Sequence, residues 1–165
     1  MNIRKLLSED SREELSEIYE KSWKYAYRGI IPDSFLDSIP HGKWAENADR
    51  EGIHNLVLTE GGRLCGTCSY SASRFPEFPN EGEIIAIYLL PEFMGKGYGK
   101  MLLREAAAEL SGMGFDKIFL WVLEENHPAR RFYERNGFSP TGDFLDDNIG
   151  GKALREMRYT KTAPF

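Results

Sequence analysis

Residues 83–100 have the sequence EIIAIYLLPEFMGKGYGK, which joins an apolar run to a glycine-rich loop. The run Ile84–Leu90 has the length and the β-branched content of a strand that is buried on both faces, and Pro91 ends it. From Gly99 onward the apolar residues recur at helical spacing, with charged residues on the opposite face. The stretch therefore predicts a strand, a loop and a helix, in that order.

Three alternating glycines fill the loop between the predicted strand and helix, at Gly95, Gly97 and Gly99. Without side chains, the backbone of such a loop can approach a ligand closely. The loop also lies at the positive end of the helix dipole, where backbone N–H groups bind anions. These features predict a site for a phosphate-bearing ligand.

Other glycine-loop motifs fit this spacing less well. The P-loop pattern needs a glycine where Met94 stands and a hydroxyl residue where Met101 stands. The dinucleotide fingerprint GxGxxG needs a third glycine where Leu102 stands, and it begins directly after its strand. A glycine-rich turn that binds nothing remains the alternative, but that reading leaves a second motif further along the chain without an explanation.

The second motif is EENHPARRFYERNGF, residues 124–138. It follows the apolar run Lys117–Leu123, which predicts the next strand of a βαβ unit. Pro128 suits a first helical turn, with Asn126 or the next residue as the cap, and Gly137 closes the short helix.

Together the two stretches resemble the GNAT superfamily of acyl-CoA-dependent N-acyltransferases, whose Q/R-x-x-G-x-G/A loop binds the pyrophosphate of CoA. Gly97 and Gly99 match the loop glycines, and Asn126 matches an asparagine that bonds the pantetheine arm. FYERNGF, residues 132–138, matches the family pattern FYxxxGF. Met94 departs from the pattern, because the family has Gln or Arg at that position.

The resemblance implies a fold and a cosubstrate. The fold is an α/β (α+β) domain with a mixed, mostly antiparallel sheet of six or seven strands, flanked by about four helices. The sheet is splayed at the cofactor strand, with a bulge expected near Leu89 and Leu90. The acyl donor is acetyl-CoA, and its predicted contacts are Tyr88, Leu89, Leu90, Met94, Gly95, Lys96, Gly97, Tyr98, Gly99, Lys100, Asn126 and Tyr133.

Composition limits the partners of this chain. Its 165 residues, 41% of them hydrophobic, predict a single domain over residues 1–165. Because 26 acidic side chains outnumber 21 basic ones and no basic cluster stands out, we expect no nucleic-acid partner. The N-terminal region breaks into charges within a few residues, which predicts neither a signal peptide nor a membrane span. The expected location is the cytoplasm, with no membrane partner.

The only two cysteines, Cys65 and Cys68, have the CxxC spacing of redox and zinc sites. They fall inside a strand pattern, where residues three apart point to opposite faces of the sheet. No further cysteine is available to complete a zinc site. We therefore predict a structural role for this pair and no bound metal.

The chemistry requires a base, because a primary amine with a pKa of about 10.4 is protonated at neutral pH. Glu83, at the start of the central strand, is the candidate general base, and its spacing to the loop resembles that in some GNAT enzymes. Glu81 could substitute, and a solvated carboxylate is the alternative reading of Glu83. By resemblance, Tyr133 protonates the departing thiolate, or else it is simply a core aromatic. A backbone N–H near Leu89 would bind the oxyanion during direct attack.

The acceptor is expected to be a small-molecule amine such as a polyamine or an amino acid. The least constrained segments are 23–44, 73–80 and 143–151, which are expected to form its site. Aromatic residues could wall a pocket there, and acidic residues could attract a cationic amine; they are Trp23, Tyr25, Tyr27, Phe35, Trp44, Asp143, Asp146 and Asp147. The alternatives are an acetyltransferase for peptide N-termini or lysines, a non-catalytic acyl-CoA sensor and, remotely, a nucleotide-dependent oxidoreductase. The resemblance makes a homodimer plausible.

Overall fold

The computed structural model describes all residues 1–165 and contains seven strands and four α-helices. None of the helices combines the length and the apolar composition needed to cross a bilayer. In chain order the elements are β1 (Asn2–Lys5), α1 (Arg12–Tyr27), α2 (Asp33–Leu36), β2 (His54–Glu60), β3 (Arg63–Ala72), β4 (Gly82–Leu89), α3 (Tyr98–Gly112), β5 (Lys117–Leu123), α4 (His127–Arg135), β6 (Ser139–Ile149) and β7 (Lys152–Thr162).

The strands form one sheet in the order β1-β2-β3-β4-β5-β7-β6. Every neighbouring pair is antiparallel except β4 and β5, which are parallel. These two strands pair only at Gly82 with Ile118 and at Glu83 with Phe119, so they separate beyond Glu83. The predicted α/β fold with a mostly antiparallel sheet, splayed at the cofactor strand, is confirmed.

The bulge in β4 does not lie where we expected it. Ser69 of β3 is opposite Ala86, whereas Tyr70 is opposite Ile84, so Ile85 is the extra residue. The expectation of a bulge near Leu89 and Leu90 was therefore wrong, because regular pairing with β3 continues to the end of the strand.

Helices cover both faces of the sheet. Helix α1 begins at the N-cap Ser11, whose hydroxyl accepts a hydrogen bond from the Glu14 N–H at 3.1 Å. It packs on β3 and β4, while α3 packs on the other face of the same strands. The apolar stripe of α3 is fully buried against the sheet, as its spacing predicts, and consists of Leu102, Leu103, Ala106, Ala107 and Leu110.

The last two strands form a long hairpin. Strand β6 runs through Ile149, and only Gly150 and Gly151 make the turn to β7. Both glycines have positive φ, which suits a tight hairpin connection. The segment 143–151 is thus mostly an edge strand.

Candidate active site

The glycine loop has the geometry of an anion site. A short 3₁₀ turn follows β4, and Gly95 and Gly97 then adopt positive φ of 74° and 86°. Gly97 is the N-cap of α3, and no side chain caps this helix end. The first N–H groups of α3 are therefore free of a side-chain partner, which is the arrangement that binds phosphate.

Two lysines and one methionine accompany this loop. Lys96 and Lys100 are exposed and form no ion pair, so both are available to an anion. Met94 is half-buried and packs against the core, where it offers no polar contact. Gly99 is packed more closely, since an added Cβ would lie 3.4 Å from the Phe132 ring of α4.

The end of β4 directs backbone N–H groups into the gap beside β5, and that of Leu89 is the last of them. The Leu90 N–H donates to the Cys65 carbonyl at 3.0 Å, so Leu90 and Cys65 form a hydrogen-bonded pair. In an antiparallel ladder the adjacent residue, Leu89, then directs its N–H away from β3. On that side β5 has already separated, so the Leu89 N–H lies at the opening in the sheet.

Helix α4 brings two predicted residues to the same opening. Asn126 is the N-cap, only 8% exposed, and its side-chain oxygen accepts a hydrogen bond from the Ala129 N–H at 3.3 Å. Its amide nitrogen makes no hydrogen bond. Tyr133 is 9% exposed, lies edge-on to the Phe138 ring and has no hydrogen-bond partner for its hydroxyl. Burial raises the pKa of the Tyr133 phenol far above its usual value, so this hydroxyl keeps its proton.

The predicted base is buried in an ion pair. Glu83 is 1% exposed and accepts three hydrogen bonds from Arg74: from the backbone N–H and Nε at 3.1 Å, and from Nη2 at 2.6 Å. An incoming amine could pass its proton to Glu83 only if Arg74 withdrew. Glu81 is engaged in the same way, by Lys117 and Arg158.

A second carboxylate on this face was missed by the sequence analysis. Glu156 of β7 lies opposite Leu123 of β5, is half-buried, and forms neither a hydrogen bond nor an ion pair. Burial raises the pKa of the Glu156 carboxyl, with a smaller contribution from Asp147. Side chains two apart in a strand share a face, so Glu156 lies on the same face as the buried Leu154. This alternation in β7 is the sequence signal that could have identified Glu156.

A cavity of 340 Å³ lies on the α1 side of β4. Ile85, Ala86 and Tyr88 form its floor, and the Tyr88 ring packs edge-on against Tyr19 at 4.8 Å. Three of the predicted aromatic residues are among its walls: Trp23, Phe35 and Trp44.

The remaining residues named for the acceptor site lie outside this cavity. Tyr27 packs edge-on against Trp23 with ring centroids 5.0 Å apart, whereas Tyr25 is 66% exposed. Of the acidic residues, Asp143 pairs with Arg158 and Asp146 with Arg155. These two carboxylates are therefore already neutralised by arginines.

The two cysteine thiols are buried and unbridged. The Cys65 thiol donates to the Leu58 carbonyl at 3.3 Å, and burial raises the pKa of Cys68 to about 12. The structure contains no group of three or more His, Cys, Asp or Glu side chains placed to hold a metal ion.

The sheet opens between β4 and β5, and a glycine loop leads from β4 into α3. This arrangement is that of a class of protein, the N-acetyltransferases. Residues 12–138 match the model of the Acetyltransferase (GNAT) family. The chain belongs to this family, and it is an N-acetyltransferase by fold and by sequence. The resemblance of the two motifs is thus confirmed.

Similar proteins align with nearly the whole chain. It is 30% identical to the uncharacterized N-acetyltransferase YuaI of Bacillus subtilis, over 95% of this chain and 90% of that protein. It is 29% identical to the spermidine N(1)-acetyltransferase of Thermoplasma acidophilum, over 96% of this chain and 98% of that protein. The crystal structure of PaiA N-acetyltransferase from T. acidophilum in complex with coenzyme A has a TM-score of 0.73 and 25% identity, covering 99% of this chain and 100% of that chain.

Proposed function

We propose that this protein transfers an acetyl group from acetyl-CoA to a primary amine of a small molecule, by direct attack and without an acyl-enzyme. The observation that carries the proposal is the uncapped start of α3 behind Gly95 and Gly97, beside the opening between β4 and β5. Two relatives support it by their names, one as a spermidine acetyltransferase and one as a coenzyme A complex.

The residues present fit the proposed cosubstrate. The N–H groups at the start of α3, with Lys96 and Lys100, would hold the pyrophosphate. Asn126 has a free amide nitrogen at the opening and would donate to a carbonyl of the pantetheine arm. Acetyl-CoA would supply the activated acyl group and the thiolate leaving group.

We propose three roles for the residues near the thioester. The Leu89 N–H would stabilise the oxyanion, because it is directed into the opening and has no strand partner there. Tyr133 would protonate the departing thiolate, since its hydroxyl has no competing partner in the protein. Glu83 remains a candidate base that acts only if Arg74 withdraws, whereas Glu156 needs no such movement.

A panel of amines tests the proposal. Purified protein and acetyl-CoA are mixed with spermidine, amino acids, aminoglycosides or short peptides, and the released thiol is measured. CoA binding is measured separately by titration calorimetry. We expect micromolar or tighter CoA binding and turnover with a small amine. No CoA binding would refute the proposal.

Two alternatives are distinguished by the same panel. An acetyltransferase for protein N-termini would prefer the peptides, and one relative, of Bacillus subtilis, carries the name of a ribosomal-protein alanine acetyltransferase. A non-catalytic sensor would bind CoA and acetylate nothing.

We further propose that residues 1–165 act as one cytoplasmic domain, able to form a homodimer, without a nucleic-acid or membrane partner. The net charge of −5 supports the absence of nucleic acid. Light scattering of the purified protein measures the oligomeric state.

A further inference from the structure

The cavity beside β4 has an uneven charge distribution. Its lining includes three cationic side chains, Lys43, Arg50 and Arg74, and no carboxylate. Most of the remaining wall is apolar or aromatic, and the volume of 340 Å³ suits a single small molecule. A ligand that fills this space therefore meets positive charge and apolar surface.

The ion pairs around the cavity leave part of this positive charge available. Lys43 is paired with Glu46 at the surface, 3.4 Å away. Arg74 uses its Nε and Nη2 on Glu83, so its Nη1 has no partner. Arg50 forms neither an ion pair nor a side-chain hydrogen bond. Arg50 and the Nη1 of Arg74 are thus free donors.

Two tryptophans form an aromatic part of the cavity wall. The rings of Trp23 and Trp44 are 5.8 Å apart and edge-on to each other. Their indole N–H groups are buried, so the rings offer the cavity apolar surface.

These features disfavour a polyamine as the acceptor. Spermidine keeps further ammonium groups after one amine has reacted, and each of them needs an acceptor or a carboxylate. Glu83 and Glu46, the carboxylates that pair with lining cations, are held by Arg74 and Lys43. Glu156, which interacts with Arg74, does not line the cavity. Arg50 would repel a second ammonium group, and like-charge contacts of this kind select against a ligand.

We infer that the acceptor is an amino acid with an apolar side chain, whose carboxylate is bound by Arg50 and the free Nη1 of Arg74. This inference rests on the proposed acetyl transfer and specifies its acceptor. Arginine binds carboxylates through paired, charge-assisted hydrogen bonds, and the aromatic walls accommodate the apolar side chain. Arg74 keeps its ion pair with Glu83 in this arrangement, which leaves Glu156 as the candidate base.

Matched amines test the role of the carboxylate. L-phenylalanine, L-tryptophan and L-leucine are each compared with the decarboxylated amine, namely phenethylamine, tryptamine and isoamylamine, and with spermidine. We expect kcat/KM for at least one amino acid to exceed that of its decarboxylated amine and of spermidine by about tenfold or more. Preference for spermidine or for the decarboxylated amines overturns the inference, as does turnover of none of these compounds.

Variants test the assigned arginine. Arg50→Gln is expected to raise KM for the preferred amino acid about tenfold and to leave the decarboxylated amine unchanged. The matched control is Lys21→Gln. Lys21 lies on α1 outside the cavity and pairs with Glu17, so this variant removes a positive charge that the ligand does not meet. Equal effects of Arg50→Gln on both compounds overturn the assignment.

Measurement of CoA binding distinguishes failure of the amino-acid inference from failure of the proposed transferase function. If wild-type protein binds CoA and acetylates only spermidine, the amino-acid inference fails and the proposed transferase function stands. If it does not bind CoA, the proposed function fails as well.

Discussion

Replacing Gly97 by alanine tests the anion-binding loop. Gly97 has a φ of 86°, and nothing lies within 4 Å of an added Cβ, so the substitution introduces no clash. Its cost is therefore conformational, because an L-residue in the left-handed region costs about 1–2 kcal/mol. This cost can appear either as lower stability or as a changed loop conformation, and each gives a different measurable result.

If the loop keeps its shape, stability falls by about 1–2 kcal/mol, which lowers Tm by about 2–8 °C for a chain of this size. If the loop relaxes instead, its N–H groups turn away and CoA binds about 5- to 30-fold more weakly, the same energy expressed as affinity. Thermal unfolding and calorimetric titration with CoA together measure both outcomes.

Gly112→Ala in the last turn of α3 is the control. It also meets open space, but its φ is not positive, so we expect unchanged CoA affinity and a gain in stability of up to about 1 kcal/mol. The reasoning is refuted if Gly97→Ala leaves both Tm and CoA affinity at wild-type values.

Four further substitutions test other parts of the site. Tyr133→Phe should lower kcat by about 10²–10⁴ and leave Tm and CoA affinity unchanged, because the hydroxyl has no partner in the protein; unchanged kcat contradicts its role as an acid. Burial raises the pKa of Glu156, so kcat/KM should rise with pH through a value above the usual range for glutamate, and Glu156→Gln should remove this limb. Loss of the same limb in Glu83→Gln alone would identify Glu83 as the base. Gly66→Ala would place a Cβ 2.4 Å from Leu89 Cδ2, which should cost about 1–3 kcal/mol in thermal unfolding, and an unchanged Tm would show that this contact relaxes freely.

Most of the fold and the loop could be predicted from the sequence because their determinants are local. The strand before Pro91, the glycines of the loop and the apolar stripe of α3 each act within a few residues. The cap at Asn126 is local in the same sense, because its oxygen bonds an N–H three residues later. These features can be recognised in the sequence without knowing which strands are neighbours in the sheet.

The partners of the charged residues could not be predicted in this way. Glu83 was predicted as a free carboxylate at a strand end, but Arg74, in the loop between β3 and β4, pairs with it. With 21 basic side chains in the chain, the sequence offers many equivalent partners for any one carboxylate. Glu156 differs from Glu83, because it forms no ion pair and lies between Leu123 of β5 and Leu145 of β6.

The bulge at Ile85 determines which side chains face the acceptor cavity. Ile84 lies opposite Tyr70, whose hydroxyl bonds Glu109 of α3, so Ile84 belongs to the α3 face. Strict alternation from Ile84 would put Tyr88 on the α3 face as well, because a shift of one residue exchanges the faces of a strand. The extra residue instead turns Tyr88 toward α1, where it forms the floor of the cavity. The same shift sets the pairing at the end of β4 and therefore which N–H is left unpaired at the opening. One inserted residue thus places the acceptor cavity and the proposed oxyanion donor on the same strand, and local sequence patterns carry no signal for its position.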